Sequence, residues 1–151
     1  MFGIFGKGHE CGHSRICFFF QTIEGYTMPY GYELILDLHG CDVSSFTRES
    51  LKQYFETICS AIDMVPEELY FWDDVGVPEE ERQHLPHTKG TSAVQFILTS
   101  SIVVHTLDLL GSVYVNIFSC KAFDNKIAKE VTEKWFKSTT CRCNSVERSA
   151  E

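Results

Sequence analysis

Four polar side chains stand in or beside apolar, strand-like stretches between residues 90 and 120. Ser92, Ser100 and His105 interrupt runs rich in β-branched residues, and Cys120 follows a third run of the same kind. If adjacent strands bring them together, they supply a nucleophile, a base and an acid. Hydroxyls that satisfy local backbone groups and a hydrogen-bonded core histidine fit the residue types at least as well. The types alone therefore leave chemistry and packing open.

The spacing of these residues is more specific than their types. Ser92 closes a Gly-x-Ser motif, and Ser100 follows eight residues later. His105 opens a His-Thr pair five residues beyond Ser100, and Cys120 closes a Phe-x-Cys motif fifteen residues after that. This pattern resembles the short bacterial and archaeal form of the S-adenosylmethionine decarboxylases. Residues 31–41 also look like the family's first strand, so the resemblance covers roughly residues 31–147.

The resemblance implies a pyruvoyl cofactor made from Ser100 of the chain itself. The Ser100 hydroxyl attacks the carbonyl of Thr99, and the chain is cut into residues 1–99 and 100–151. The residue matching His105 removes the α-hydrogen of Ser100, and the residue matching Ser92 donates a hydrogen bond at the tetrahedral centre. The cofactor carbonyl then binds the substrate amine and accepts the electrons that carbon dioxide leaves behind. Cys120 matches the acid that protonates the substrate carbon, a task that suits thiols near neutral pH.

Several positions depart from the family pattern. Members usually carry Glu before the pyruvoyl serine and His after it, where this chain has Thr99 and Ser101. Cleavage stays possible because only the Thr99 carbonyl is attacked. Most bacterial members follow His-Thr with Trp-Pro-Glu, whose glutamate binds the ribose hydroxyls of the substrate, but Leu109 occupies that position here. Asp108 is the nearest carboxylate, although a strand would turn it to the opposite face. The resemblance thus implies a substrate site beside Ser101 and Asp108 with weakened selectivity for the nucleoside.

Three functions are compatible with this reading. The first is decarboxylation of S-adenosylmethionine to supply aminopropyl groups for spermidine. The second is a sister enzyme that decarboxylates arginine or ornithine, keeping the pyruvoyl machinery but not the ribose contact. The third is an inactive relative that binds and regulates an active partner. Retention of Ser92, Ser100, His105 and Cys120 argues against the third.

The elements that must position these residues follow from the apolar pattern. Strands are predicted over residues 32–38, 69–72, 91–98, 102–107 and 113–118, with an edge strand from Cys141. Thr47 and Asp124 are predicted to begin two helices, and residues 73–89 form a charged loop. The order β-α-β-loop-β-β-β-α-β predicts an α+β two-layer sandwich, with an antiparallel sheet and its helices on one face. We expect an N-terminal extension at residues 1–30, with a short strand near 16–22, and a domain at 31–151.

Length and charge limit the partners. A chain of 151 residues fits one domain. Its formal net charge of −8 makes nucleic acid an unexpected partner. No segment reaches the roughly 20 apolar residues that span a bilayer, so no membrane association is expected. Lys7, Glu10 and Arg15 interrupt any signal peptide, and seven irregularly spaced cysteines favour free thiols in the cytoplasm.

Three further expectations concern assembly, metals and aromatic residues. The family resemblance implies a homodimer whose active sites draw on both protomers, and a sheet with helices on one face leaves its other face to be covered. No metal is expected, since His9, Cys11, His13, Cys141 and Cys143 have the spacing of no common zinc site. Tyr70, Phe71 and Trp72 fit core packing better than stacking on an adenine.

Overall fold

The computed structural model describes residues 29–150, and these form an antiparallel sheet with two helices packed on one side. In chain order the strands are β1 (Gly31–His39), β2 (Pro66–Trp72), β3 (Ser92–Ile97), β4 (Ser100–Leu107), β5 (Ser112–Ser119) and β6 (Thr140–Arg148). The helices are α1 (Arg48–Ala61) and α2 (Asn125–Phe136), and single 3-10 turns cover Val43–Phe46 and Glu79–Glu81. The strand expected near 16–22 and almost all of the expected N-terminal extension lie outside the described residues.

The strands are arranged in the order β2-β3-β4-β5-β1-β6, and every neighbouring pair is antiparallel. Two tight connections set the centre of this order. Ile97 pairs with Ser100, so β3 and β4 are joined by a two-residue turn, and β5 follows β4 after a short turn. Strands β3, β4 and β5 are therefore direct neighbours, and they carry the residues singled out by their spacing.

The core lies between the sheet and the helices, because alternate strand residues point towards α1 and α2. The inward side chains of the central strands are fully buried: Leu34, Leu36, Leu38, Ile102, Val104, Val113, Val115 and Ile117. They pack with Tyr54, Phe55 and Ile58 of α1 and with Phe136 of α2. The Tyr54 hydroxyl and Thr132 Oγ1 form a buried hydrogen bond of 2.9 Å between the two helices. The opposite side of the sheet, called here the open face, carries neither helix.

The α+β two-layer sandwich predicted from the sequence is confirmed, including the order of its elements. Thr47 accepts a hydrogen bond from the Ser50 amide at the start of α1, and Asp124 accepts from Lys126 and Ile127 at the start of α2. Two strands begin earlier than predicted: β2 begins at Pro66 and not at Leu69, and β4 begins at Ser100 and not at Ile102. Among the described residues, neither helix has the length and apolar character needed to cross a bilayer.

Candidate active site

Ser92 and His105 face each other across β3 and β4. They are direct partners in the register of the two strands, and a hydrogen bond of 2.8 Å joins Ser92 Oγ to His105 Nδ1. Both side chains lie on the open face, because their inward neighbours Ala93 and Val104 are buried. The bond orients the imidazole and leaves Nε2 unused by the serine, which is the arrangement a base needs.

The two short motifs around this pair have a structural reason. A Cβ atom built on Gly90 would lie 1.8 Å from the Thr106 carbonyl oxygen, so only glycine allows the chain to approach β4 here. The Thr91 amide donates to Thr106 Oγ1 at 3.0 Å, and the Thr106 amide donates to the Thr91 carbonyl at 2.9 Å. The Gly-x-Ser and His-Thr motifs therefore hold the start of β3 against the end of β4, and they place Ser92 opposite His105.

A second cluster surrounds the peptide bond between Thr99 and Ser100. The backbone amide of Cys120 donates to Ser100 Oγ at 3.0 Å. The Cys120 thiol contacts Thr99 Oγ1 at 2.9 Å, so Cys120 touches the residues on both sides of this bond. Cys120 follows the last residue of β5, and Ser100 is the first residue of β4, which explains why their ends meet. The amide of Cys120 thus orients the hydroxyl that would attack the Thr99 carbonyl.

The turn that carries this bond has an unfavourable backbone conformation. Thr99 is the second residue of the two-residue turn and has φ of +64°. A β-branched residue rarely adopts this left-handed region, and such outliers cost on the order of 1–3 kcal/mol. The neighbouring Leu98 is 62% exposed, so burial of the turn does not explain the conformation. Strain is therefore concentrated at the residue before the expected cleavage point.

Within one chain the two clusters lie apart. Ser100 and His105 are separated by five residues of extended strand, a distance of about 17 Å. The two residues also lie on opposite sides of the sheet. Ser100 is on the same side as the buried Ile102, whereas His105 is on the open face. The structure brings Ser92 to His105 and Ser100 to Cys120, but it does not bring His105 to Ser100. Within one chain, therefore, the four residues form two separate pairs and not a single cluster.

The structure separates the two residues expected beside the substrate. Ser101 lies on the open face next to the cleavage turn, opposite Phe118 of β5. Asp108 lies at the far end of β4, where its amide donates to the Lys89 carbonyl at 3.0 Å. Burial raises the pKa of the Asp108 carboxyl, while the nearby charge of Lys89 opposes the rise.

Asp108 and Leu109 occupy a turn and not a strand, which corrects one step of the sequence argument. Strand alternation does not place them on opposite faces, because β4 ends at Leu107. The Leu109 side chain is 56% exposed in the single chain. Both residues lie at the end of the sheet that carries His105, four residues from Leu109, and not at the end that carries Ser100.

Two aromatic side chains of β2 contradict the expectation of core packing. Trp72 is 76% exposed and Tyr70 is 56% exposed, whereas Phe71 packs against the core. β2 is an edge strand, and its alternate residues point away from the helices. Aromatic character alone does not predict which of its residues face the core. Trp72 is the register partner of Ser92 and lies directly beside the Ser92–His105 pair.

The register also reveals candidate residues that the sequence reasoning missed. One residue from every strand falls in a single row across the open face: Trp72, Ser92, His105, Tyr114, Asp37 and Arg142. Tyr114 is the partner of His105, and Asp37 is the partner of Tyr114. Strand alternation in the sequence already predicts that Tyr114 and Asp37 lie on the open face. Their alignment with His105 follows only from the register of the strands.

Three of the described thiols are poor acids. Burial raises the pKa of the Cys41, Cys59 and Cys141 thiols to about 11, so these three stay protonated at neutral pH. Within residues 29–150, no three His, Cys, Asp or Glu side chains are grouped to hold a metal ion. Among the residues considered as zinc ligands in the sequence, His9, Cys11 and His13 lie outside the described residues.

A family model and a solved structure match this chain. The family model described as S-adenosylmethionine decarboxylase matches residues 32–149. The crystal structure of the adenosylmethionine decarboxylase from Aquifex aeolicus VF5 superposes with a TM-score of 0.63 at 16% identity, over 82% of this chain and 93% of that chain. No curated protein sequence gives a significant match. The chain therefore belongs to the S-adenosylmethionine decarboxylase family and is a decarboxylase, a carboxy-lyase, with that α+β fold.

Proposed function

We propose that the protein cuts itself between Thr99 and Ser100 and then decarboxylates S-adenosylmethionine, using a pyruvoyl group derived from Ser100. The observation that carries the proposal is the position of Cys120. Its amide donates to the attacking oxygen, Ser100 Oγ, at 3.0 Å, and its thiol contacts Thr99 at 2.9 Å. A purely structural role for Cys120 would not explain why it contacts the residues on both sides of the Thr99–Ser100 bond. These contacts support the proposal because one residue would then serve both the cleavage and the later decarboxylation.

The cleavage uses only atoms of the chain and one water molecule. Ser100 Oγ bonds to the Thr99 carbonyl carbon, the C–N bond breaks, and the hydroxyl proton passes to the nitrogen, so the amide becomes an ester. A base then removes the α-hydrogen of Ser100, and the Cβ–Oγ bond breaks to release Thr99 as a carboxylate. The remaining dehydroalanine tautomerises, and water replaces its nitrogen as ammonia to leave the pyruvoyl group. Strain at Thr99 favours the first of these steps.

The residues around Ser100 fit such a group. It would stand at the start of β4, where Cys120 and the strand end surround it, and it would supply a sink for the electrons left by departing carbon dioxide. The Cys120 thiol contacts that point, and we assign it the protonation of the substrate carbon. His105, oriented by Ser92, is the base for the Ser100 α-hydrogen.

This assignment of His105 requires a second copy of the chain. A base about 17 Å from its proton along the same strand cannot act on it. The open face offers a place for the partner, since Phe96 is 47% and Trp72 is 76% exposed there. In the proposed homodimer, Ser100 and Cys120 of one protomer meet Ser92 and His105 of the other.

Self-cleavage is the first expected result. Denaturing mass spectrometry of the purified protein should show residues 1–99 and a second fragment, 100–151, whose N-terminus resists Edman degradation. The Ser100→Ala variant should remain in one piece because it lacks the attacking oxygen. Ser101→Ala is the matched control, since it removes the neighbouring hydroxyl and leaves Ser100, and it should still be cut. Wild-type protein that stays intact after long incubation would rule out the proposal.

The substrate assignment rests on the family and on Trp72. An exposed indole beside the Ser92–His105 pair suits a substrate with a flat nucleobase, which arginine and ornithine lack. Leu109 opposes this assignment in part, because a leucine accepts no hydrogen bonds from ribose. We therefore propose S-adenosylmethionine as the substrate, bound without the usual carboxylate contact. Its decarboxylated product would supply aminopropyl groups for spermidine, in the cytoplasm, where thiols stay reduced.

Replacing Leu109 tests how the ribose is bound. Leu109→Glu should lower KM for S-adenosylmethionine about tenfold, because hydrogen bonds to a charged group are worth on the order of 1.5–3 kcal/mol. Steady-state assays with S-adenosylmethionine, arginine and ornithine measure the effect on each substrate.

Leu110→Glu is the matched control, because it places the same charge one position along the same turn, where the side chain is also exposed. It should leave KM near the wild-type value. An unchanged KM in Leu109→Glu, together with a large rise in Asp108→Ala, would show that Asp108 already binds the ribose. Higher wild-type activity on arginine or ornithine than on S-adenosylmethionine would identify the sister enzyme.

A further inference from the structure

The Thr99 hydroxyl makes two hydrogen bonds that together fix the Cys120 thiol. Thr99 Oγ1 donates to the Leu98 carbonyl at 2.6 Å, and it lies 2.9 Å from Cys120 Sγ. A hydroxyl has one proton, so when Thr99 Oγ1 donates it to the Leu98 carbonyl, the Cys120 S–H is the donor in the second bond. The thiol proton, which the decarboxylation would use, is therefore already engaged while the chain is intact.

The backbone of Thr99 is strained at the same time. Its φ of +64° lies in the left-handed region, which glycine adopts freely and β-branched residues avoid. Ser100 pairs with Ile97 in the adjoining ladder, so the turn cannot relax without breaking strand pairing. Once the Thr99–Ser100 bond is broken, Thr99 is a chain end and can leave this conformation.

We propose that Thr99 is a positioning residue that couples the two reactions: its strained backbone speeds cleavage, and its hydroxyl engages the Cys120 thiol until cleavage releases it. The inference rests on the proposed function and extends it. In the intact chain the S–H bond points to Thr99. When the ester breaks, the Thr99 carbonyl carbon keeps the former Ser100 oxygen as a carboxylate, the turn opens, and the S–H loses its acceptor. The acid becomes available only in a chain that has formed its cofactor.

Four residues at position 99 separate the two roles. Threonine has both the branched Cβ and the hydroxyl, Thr99→Val keeps only the branching, Thr99→Ser keeps only the hydroxyl, and Thr99→Gly has neither. The first-order rate of self-cleavage, followed by denaturing electrophoresis, should be about tenfold lower in Thr99→Gly than in wild type. Thr99→Val should be cut faster than Thr99→Ser, because the branched Cβ and not the hydroxyl carries the strain.

Strain has a second readout that does not require cleavage. In the uncut Ser100→Ala background, Thr99→Gly should raise the melting temperature by about 3 °C, since glycine removes the left-handed penalty. A variant that slowed cleavage by damaging the fold would instead lower the melting temperature.

The thiol is tested in the same uncut background. Native alkylation by iodoacetamide, mapped by peptide mass spectrometry, should modify Cys120 about fivefold faster in Thr99→Val than in Thr99→Ser, because only the serine retains the acceptor. The exposed Cys143 provides the internal reference, and Cys41, Cys59 and Cys141, whose pKa values are raised, should react slowly in every variant.

The outcomes distinguish this inference from the proposed function. A wild-type chain that never cleaves overturns both. A wild-type chain that cleaves while Thr99→Gly cleaves equally fast, or melts at the same temperature in the uncut background, overturns the role of strain and leaves the proposed function intact. Equal alkylation of Cys120 in Thr99→Val and Thr99→Ser overturns the role of the hydroxyl.

Discussion

Co-expressed Ser100→Ala and His105→Ala chains should form heterodimers with about half of the wild-type decarboxylase activity, although each variant alone is inactive. In the heterodimer, the intact Ser100 of one chain meets the intact His105 of the other, which restores one of the two sites. The other site carries both substitutions and stays dead. Two different affinity tags isolate the heterodimer, and activity and self-cleavage are measured on that fraction.

The reason is the distance along β4. Five residues of strand separate Ser100 from His105 by about 17 Å, and proton transfer needs a hydrogen-bond contact or one bridging water. The Ser92–His105 bond of 2.8 Å also fixes the imidazole at the far position. No side-chain rotation closes such a gap, so the proposed role of His105 requires a partner protomer.

The matched control reverses the pattern. A heterodimer of wild-type chain and a Ser100→Ala/His105→Ala chain should be inactive, because each site then lacks one of the two residues. If both residues instead acted within one chain, this heterodimer would keep about half of the activity and the first pair would have none. Light scattering that gives the mass of a single 17.3 kDa chain at micromolar concentration would also contradict the shared site.

The strand and helix pattern was readable from the sequence because the core follows it closely. Inward residues such as Leu34, Leu36 and Leu38 alternate along β1, and Thr47 and Asp124 are strong helix caps. The spacing of Ser92 and His105 also had a structural meaning, since a turn at residues 98 and 99 places them opposite each other. Each of these features depends on residues that are close together in the chain, so the sequence alone predicts it.

The register of the β3–β4 hairpin was not readable in the same way. The turn consists of Leu98 and Thr99, whereas Gly, Asn or Asp usually occupy a two-residue turn. The turn is strained at Thr99, and strained positions are those where local preference predicts the wrong conformation. Without the turn, the predicted start of β4 was two residues late, and the register between β3 and β4 was not predicted.

The exposure of β2 was missed for a different reason. Tyr70, Phe71 and Trp72 are all aromatic, so hydropathy does not distinguish the residue that packs on the core from its two exposed neighbours. Only the position of β2 at the sheet edge and its register with β3 reveal that Trp72 stands beside Ser92. A row of side chains across six strands depends on long-range pairing that no local pattern contains.

Replacing Cys120 by alanine should stop sustained turnover while the chain still cuts itself. The backbone amide that orients Ser100 Oγ is unchanged by the substitution, so the attack on Thr99 remains possible. Loss of a general acid costs on the order of 10²–10⁴-fold in the rate of the proton transfer, so formation of the decarboxylated amine should fall by about that factor. Activity per cleaved chain, measured over many turnovers, gives the result.

The fate of the cofactor provides the decisive measurement. Without the thiol, the proton would go to the cofactor carbon, and hydrolysis by one water molecule would leave the substrate nitrogen on the chain as an N-terminal alanine and release the decarboxylated substrate as an aldehyde. Fragment 100–151 of Cys120→Ala should therefore become open to Edman degradation after incubation with S-adenosylmethionine, but not without it. Cys143→Ala removes an exposed thiol elsewhere on the chain and should remain blocked and active. Sustained wild-type turnover by Cys120→Ala, with a blocked N-terminus, would show that another group protonates the substrate and that Cys120 serves only to orient Ser100.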